Sequence, residues 1–256
     1  MRIKQEKYKN AAYPIGTLII LIFIWHFAVV LFNIKPYILP DPFAIPKNFI
    51  DNFILLMNHM GVTLFETLAG FLLSIVIGVF ISILIASSNI LDKMLSPYII
   101  LSQSFPKTAI APLMVIWFGY GILPKIIMSF LIGFFPITMN MVMGLKSPDE
   151  DLLDLLKSMS ATKKQIFLKV RIPASIPYFF NGTKISIPMC LVGAVVGEFV
   201  GANRGIGYLI MMANNELNTI LVFSGLIALM IVGAFLYFFT EKVEKKMAPW
   251  YSVRRK

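Results

Sequence analysis

Long apolar stretches separated by short polar segments dominate the chain. They cover about residues 13–32, 61–87, 95–118, 124–145, 176–200 and 220–240. Each stretch is long enough to cross a bilayer as a helix, which takes about 20 predominantly apolar residues. The pattern therefore predicts an all-α membrane protein with six transmembrane helices.

The polar and proline-rich positions refine this pattern. The first stretch follows a basic tail, but it is too long for the apolar part of a signal peptide and no small-residue cleavage site follows it, so we interpret it as the first span. Residues 33–60 contain four prolines and predict an external loop with a short interfacial helix. The third stretch contains Pro97, Pro106 and Pro112 and predicts a broken span that faces protein or a watery cavity.

Composition excludes a soluble protein. Hydrophobic residues make up 58% of the 256 residues, charged residues only 14%, and the mean hydropathy is +0.80. Six spans with short loops leave no room for a large soluble catalytic domain. The single cysteine, Cys190, also excludes an internal disulfide and a cysteine-based metal cluster.

The net charge of +10 is explained by topology. With the N-terminus in the cytoplasm, 17 basic residues fall on cytoplasmic segments and only four, Lys35, Lys47, Lys125 and Arg204, fall outside. Membrane proteins carry this excess of Lys and Arg on the cytoplasmic side. The distribution predicts that both termini are cytoplasmic, and it removes nucleic-acid binding as the reason for the charge.

The segment 147–177, between the fourth and fifth spans, predicts two short amphipathic helices. Ser147 and Glu150 form a capping box that places Pro148 at the first helical position, and Thr162 with Gln165 forms a second box. We expect Pro173 to end the second helix.

The first of these helices carries an apolar stripe formed by Leu152, Leu155, Leu156 and Met159. Two interpretations are open for a cytoplasmic loop with this much apolar surface. The helices lie back on the membrane or on their own bundle, or they form a docking site for a cytoplasmic partner.

The spacing in this loop resembles the EAA loop of ABC-transporter permeases of the importer type. The family pattern is E-A-A, three residues, G, nine residues, I, one residue and L-P. The matching positions here are Asp154, Leu155, Leu156, Ser160, Val170, Ile172 and Pro173, with Ala161 following the glycine position. Only the proline is identical. Ser160 in place of glycine means that a serine adopts any positive φ that the turn requires.

Further stretches resemble the nitrate, sulfonate and taurine branch of this family. They are residues 39–42 (LPDP), 59–71 (HMGVTLFETLAGF), 105–119, 134–136 (FFP) and 196–209. Their order and spacing extend the resemblance over about residues 36–245. Glu66 departs from the branch, which is expected to carry a basic residue there.

The resemblance implies the type I ABC importer permease fold and a single transmembrane domain over residues 1–256, with a permease core at about 58–245. It implies that the loop 147–177 couples the permease to a cytoplasmic ABC ATPase dimer. An extracytoplasmic substrate-binding protein, a permease homodimer and a bacterial inner-membrane location are also implied. The chain has no phosphate-binding G-x-x-x-x-G-K-[ST] loop, so we expect ATP and Mg²⁺ only on the partner ATPase, and no cofactor or metal on this chain.

Four charged residues fall in or near predicted spans: Glu66, Lys107, Lys184 and Glu198. Charges in a bilayer are costly and are therefore functional candidates. We assign Lys107, Glu198 and Glu66 to the translocation pathway as a hypothesis. For Lys107 an anion contact and a headgroup contact remain open, and Lys184 is expected to reach the headgroups. For the Gly193, Gly197 and Gly201 stripe we favour close helix packing.

Several functions compete with importer permease. An intramembrane enzyme needs paired catalytic groups in the spans, and neither two aspartates nor a serine with a histidine fulfils this here. A membrane scaffold without transport is a further alternative. For the importer, the branch implies small anions such as sulfonates, taurine or nitrate as substrates. A thiamine-precursor pyrimidine or another vitamin-related compound is the alternative.

Overall fold

The computed structural model describes residues 2–249, with side chains from Tyr13 onward. The basic side chains of the N-terminal tail and of Arg254, Arg255 and Lys256, which entered the charge count, lie outside this part. Eleven α-helices follow one another through the described residues. They are α1 (Arg2–Leu31), α2 (Ala44–Asp51), α3 (Phe53–Ser87), α4 (Asn89–Ser104), α5 (Ala111–Phe118), α6 (Leu123–Leu145), α7 (Glu150–Ser158), α8 (Lys163–Ile166), α9 (Ile172–Gly201), α10 (Ile206–Asn215) and α11 (Thr219–Met247).

The helices confirm the predicted spans. Among the described residues, five helical segments are long and apolar enough to cross a membrane: Tyr13–Leu31, Phe53–Ser87, Leu123–Leu145, Lys163–Gly201 and Thr219–Met247. The sixth is the bent pair of α4 with the segment from Lys107 to Phe118, whose halves meet at 85°. The second span begins at Phe53 and not near residue 61, because α3 continues as one helix through the polar residues Asn58 and His59.

The break in the third span lies at Pro106 alone. Phe105 has extended backbone (φ −75°, ψ 129°), as expected for a residue before proline. A 3₁₀ turn at Lys107–Ile110 then leads into α5. Pro97 lies within α4 without ending it, and Pro112 lies in the first turn of α5, where a proline needs no hydrogen-bond partner.

The chain forms two compact units. One covers the chain up to Asn58 together with Leu209–Ala228. Within it, Trp25 packs on Phe223 with ring centroids 5.3 Å apart, and the Ser224 hydroxyl donates a hydrogen bond to Asn48 Oδ1 at 3.0 Å. His26 Nδ1 lies 3.0 Å from Asp41 Oδ2, which ties the α1–α2 connection to α1.

The other unit covers His59–Tyr208 and the chain from Leu229 onward. Its centre is a seam of small and hydroxylated residues where α3 and α9 pack on α6. The Ser74 hydroxyl donates to the Phe130 carbonyl at 3.2 Å, and the Ser186 hydroxyl donates to the Gly133 carbonyl at 2.7 Å. A Cβ on Gly193 would approach the Met128 carbonyl to 2.7 Å, so the glycine stripe of α9 serves close packing.

The loop's second helix is continuous with the fifth span. A π-helical turn at Phe167–Arg171 joins α8 to α9, so the helix runs from Lys163 to Gly201. The expectation that Pro173 ends this helix is wrong. Pro173 lies in the first turn of α9, where the π turn shifts the hydrogen-bond register and the missing N–H leaves no gap.

Candidate functional site

The helix α7 begins two residues later than the sequence pattern predicts. Asp149 is its N-cap residue, with extended backbone (φ −59°, ψ 141°) and no side-chain capping bond. The Ser147 hydroxyl instead donates to the Gly144 carbonyl at the end of α6, at 2.8 Å. The predicted box of Ser147 and Glu150 is therefore wrong, although Glu150 and Asp151 do occupy the first turn, where the helix dipole favours acids.

The turn after α7 explains why the family pattern has a glycine there. Ser160 has φ +63°, its N–H donates to the Lys157 carbonyl at 2.9 Å, and the Ala161 N–H donates to the Leu156 carbonyl at 3.0 Å. These two bonds form a Schellman motif, whose C′ residue is left-handed and is usually glycine. Serine occupies the left-handed conformation at a cost of about 1–2 kcal/mol.

The second capping box is confirmed. The Thr162 hydroxyl accepts from the Gln165 N–H at 3.2 Å, and Gln165 Oε1 accepts from the Thr162 N–H at 2.7 Å. This reciprocal pair fixes the start of α8 directly after the turn.

The apolar face of one loop helix is buried, and that of the other is exposed. Ile166 of α8 is buried, and Phe167 packs on a buried cluster of Ala86, Met141 and Leu145. In contrast, Leu155 and Met159 of α7 are 57% and 71% exposed. The second helix therefore lies back on its own bundle, whereas the first presents an apolar face to its surroundings.

The loop 147–177 is hydrogen-bonded to the end of α3. Arg171 Nη1 donates to the Ala86 carbonyl at 3.0 Å, one residue before α3 ends. Carbonyls at a helix C-terminus lack intrahelical donors and attract cations. Val170 belongs to the same π turn, and Ile172 packs on the cluster that also receives Phe167.

A buried ion pair joins α3 to α6. Lys125 Nζ lies 3.1 Å from Glu66 Oε1, and the two side chains are 6% and 0% exposed. Sequence reasoning placed Lys125 among the external cations, yet it lies within the first turn of α6 and faces inward. The one feature of the sequence that indicated a buried cation was Glu66, an acid within a neighbouring span, because a buried carboxylate without a partner is costly.

Glu198 completes this cluster from α9. The Thr63 hydroxyl donates to Glu198 Oε1 at 2.7 Å, and the Gly207 N–H donates to Oε2. Thr63 also accepts from the Ile206 N–H at 2.8 Å. The carboxylate and the hydroxyl together therefore cap the N-terminus of α10, where the helix dipole favours negative charge.

Gly205 shows why the turn before α10 is tight. It has φ +116°, and a Cβ at this position would collide with the Glu198 carboxylate. His59 stacks on Tyr208, and its Nδ1 accepts from the Gly205 N–H at 3.1 Å. The turn is thus held by α3 from one side and by α9 from the other.

A second buried pair lies near the middle of α9. Lys184 Nζ lies 2.7 Å from Glu244 Oε2 of α11, and both residues are 8% exposed. The expectation that Lys184 reaches the headgroups is wrong, because α11 extends far enough to bring a carboxylate to it. Sequence reasoning did not single out Glu244, since it follows the last predicted span.

Lys107 stands apart from these pairs. It lies in the 3₁₀ turn after the break at Pro106, half-buried, with Nζ 4.3 Å from the centroid of the Phe135 ring. This is a cation–π contact, and no carboxylate faces the ammonium group within the described residues. In the part of the chain that the structure describes, no cluster of His, Cys, Asp and Glu side chains has the grouping that a metal ion needs.

Comparison with known proteins fits this architecture. Residues 74–249 match the family model described as binding-protein-dependent transport system inner membrane component. The chain is 38% identical to a probable ABC transporter permease protein of Haemophilus influenzae over 219 residues, 86% of this chain and 89% of that protein.

Two further relatives carry substrate names. The formylaminopyrimidine transport permease protein ThiX of Halalkalibacterium halodurans is 34% identical over 94% of this chain and 96% of its own length. The putative aliphatic sulfonates transport permease protein SsuC of Bacillus subtilis is 30% identical over 90% and 84%.

A solved structure shows the same fold. A chain of the MetNI methionine ABC transporter, crystallised in inward facing conformations, superposes with a TM-score of 0.66 at 20% identity, over 77% of this chain and 97% of that one. The predicted type I importer permease fold is thereby confirmed. The chain is a multi-pass membrane protein and a member of the binding-protein-dependent transport system inner membrane component family, a permease subunit of an ABC importer and not an enzyme.

Proposed function

We propose that this chain forms the translocation pathway of an ATP-driven importer and that the loop 147–177 couples it to the ATPase. The observation that carries the proposal is the exposed apolar face of α7, which ends in a Schellman turn at the family's glycine position. The coupling residues are Asp154, Leu155, Leu156, Ser160, Ala161, Val170, Ile172 and Pro173. Both termini and this loop then lie in the cytoplasm, in accord with the charge distribution.

The helix from Lys163 to Gly201 acts as the lever in this proposal. Its 39 residues extend about 58 Å at 1.5 Å per residue, roughly twice the 30 Å hydrocarbon core. A displacement of α7 by the ATPase reaches the span through the hydrogen-bonded turn at Ser160, the Thr162 cap and the π turn.

The three candidate pathway residues, Lys107, Glu66 and Glu198, have two different roles in this proposal. Lys107, at the bend of the broken span, lines the pathway and meets substrate. Glu66 and Glu198 lie within the pathway wall, where they hold α3, α6 and the start of α10 together. They contribute by positioning these helices, since both side chains are buried.

The assembly follows from the family architecture. We propose a single transmembrane domain over residues 1–256, with the permease core at about 58–245, that functions as a homodimer. Two ABC ATPase subunits dock on the two loops, and they carry ATP and Mg²⁺. An extracytoplasmic binding protein delivers the substrate, and the chain itself holds no cofactor.

For the substrate we propose a thiamine-precursor pyrimidine or a related vitamin compound. The relative named for formylaminopyrimidine matches more of this chain, and at higher identity, than the relative named for aliphatic sulfonates. The buried lysines Lys125 and Lys184 are neutralised by glutamates, whereas no carboxylate of a described residue faces Lys107 at the bend of the broken span. Small anions such as sulfonates, taurine or nitrate are the second candidate, which Lys107 favours.

The coupling assignment is tested with Asp154→Lys and with a two-residue insertion after Ser160. Both should abolish ATP-dependent uptake in proteoliposomes and weaken ATPase binding, while the permease still inserts and dimerises. Asp51→Lys, an equal charge reversal at the end of α2, is the control and should transport normally. Normal transport by both loop variants would refute the assignment.

The substrate proposal needs a separate measurement. The complex, reconstituted with its own binding protein, is assayed for uptake of radiolabelled formylaminopyrimidine and of taurine. We expect uptake of the pyrimidine that unlabelled taurine does not inhibit, and the reverse pattern would establish the anion alternative.

A further inference from the structure

A basic cleft lies behind the coupling loop, between the end of α3 and the segment that joins α8 to α9. Its volume is about 770 Å³. Four cationic side chains line it, together with polar groups at the α3–α4 junction: Lys157, Lys163, Lys164 and Arg171, with Ser88 and Asn89. No acidic side chain belongs to this lining among residues 13–249.

Two of the four cations have no hydrogen-bond or ion-pair partner among the described residues. Lys157 pairs with Asp154 at 2.7 Å, and Arg171 is bound to the Ala86 carbonyl. Lys163 and Lys164 make no ion pair or hydrogen bond through their side chains with any described residue, and both are exposed. The cleft therefore offers two free ammonium groups beside a guanidinium group, which is the chemistry that binds a phosphate.

The cleft lies where two membrane spans end. The helix α3 ends at Ser87 and α9 begins at Ile172, and residues beside both ends contribute to the cleft wall. Apolar side chains, including Leu153 and Phe167, line the rest of it. In the orientation proposed above, on which this step rests, this level is the headgroup layer of the cytoplasmic leaflet, which carries anionic lipids.

We propose that this cleft is a binding site for the headgroup of an anionic phospholipid. The phosphate lies between the ammonium groups of Lys163 and Lys164, and the Asn89 amide at the start of α4 is a further donor. The lipid thereby bridges the end of α3 to the lever helix at the point where the ATPase acts on it.

The ATPase and the lipid contact different faces of α7. Successive helical residues are rotated by about 100°, so Leu153 and Lys157 lie between about a third and a half of a turn away from the exposed stripe of Leu152, Leu155 and Met159. A partner that covers the stripe leaves the cleft accessible from the membrane side.

Native mass spectrometry of the permease–ATPase complex, titrated with phosphatidylglycerol and with phosphatidylcholine, tests this proposal. A lysine near the surface contributes a factor of about five to anionic-lipid binding, so Lys163→Gln/Lys164→Gln should weaken phosphatidylglycerol binding about 25-fold. The control, Lys93→Gln/Lys169→Gln, removes two exposed cations outside the cleft and should bind like the wild type. Phosphatidylcholine should bind weakly to all three proteins.

Three outcomes would overturn the proposal. One is phosphatidylglycerol binding that the two cleft substitutions leave unchanged. Another is displacement of the lipid by millimolar glycerol phosphate, which would identify a site for a soluble anion. The last is lipid binding by the permease alone that the ATPase abolishes, which would make the cleft an ATPase contact. Asp154→Lys should bind phosphatidylglycerol like the wild type, whether or not it uncouples the ATPase from transport. The lipid proposal and the coupling proposal can therefore be refuted separately.

Discussion

The buried pair of Lys125 and Glu66 allows a quantitative test of the bundle. Lys125→Met removes the ammonium group and leaves a carboxylate that is 0% exposed, with Glu198 as its acidic neighbour. At 3.1 Å and an effective dielectric constant of 20, the lost attraction is about 5 kcal/mol. Removing one partner of a buried pair typically costs about 3–5 kcal/mol.

The prediction is that Lys125→Met lowers the free energy of unfolding by about 3–5 kcal/mol. In a thermal melt of the purified permease, followed by a thiol-reactive dye at Cys190, this corresponds to a Tm lower by roughly 6–20 °C. The double variant Glu66→Gln/Lys125→Met should recover most of the loss, because it leaves no buried charge unpaired.

Lys93→Met is the matched control, since Lys93 is exposed on α4, and its Tm should equal that of the wild type. A Lys125→Met variant that melts with the wild type would refute the reasoning, as would a double variant that is no more stable than the single one. Either result would mean that the two side chains are not coupled in the membrane-embedded protein.

Three further predictions concern the loops. Ser160→Gly should stabilise the loop by about 0.5–1 kcal/mol, because glycine adopts φ +63° without strain, and slower backbone hydrogen exchange at the end of α7 would show it. Thr162→Ala should cost about 1 kcal/mol and speed exchange over Lys163–Ile166, whereas Thr108→Ala, outside the loop, should leave these rates unchanged. The N–H of Phe43 donates to the Asp41 carboxylate and lowers its pKa, with a smaller contribution from His26. The ionised Asp41 carboxylate therefore stabilises the folded chain at pH values above its ordinary pKa of 3.8. This stabilisation is lost as the pH falls through the lower pKa that Asp41 has in the folded chain, and an NMR titration of Asp41 would detect that lowered pKa.

The helices were the predictable part of this fold. Each long apolar run is helical, the third in two halves, because a bilayer leaves the backbone no other way to satisfy its hydrogen bonds within one segment. Prolines were harder to interpret. Pro97, Pro106 and Pro173 have the same local chemistry, yet only Pro106 breaks a helix. Pro173 lies in the first turn of α9, where a missing N–H is tolerated, whereas Pro97 lies inside α4, and its sequence context does not distinguish it from Pro106.

The burial of the charged residues was only partly predictable from the sequence, because their partners lie on helices that are distant along the chain. A charge in an apolar run can be recognised from its neighbours in sequence, which is how Glu66, Lys184 and Glu198 were found. Lys125 and Glu244 lie at the ends of runs, where the sequence also allows an exposed side chain. Only helix packing shows that each lies opposite a buried charge of the other sign.

The contacts of Lys184 and Glu198 fit the proposed role of α9 as a lever that also forms part of the pathway wall. Lys184 and Glu198 are fourteen residues apart on α9, about 21 Å along the axis, so they cannot pair with each other. Each is bound to a different partner: Lys184 to α11, and Glu198 to α3 and the start of α10. A helix pushed at its loop end therefore acts on separate neighbours at separate depths. A buried ion pair and buried hydrogen bonds to a carboxylate both have narrow geometric tolerance. These contacts therefore favour a few discrete positions of α9 over a continuous slide, as the proposed transport cycle requires.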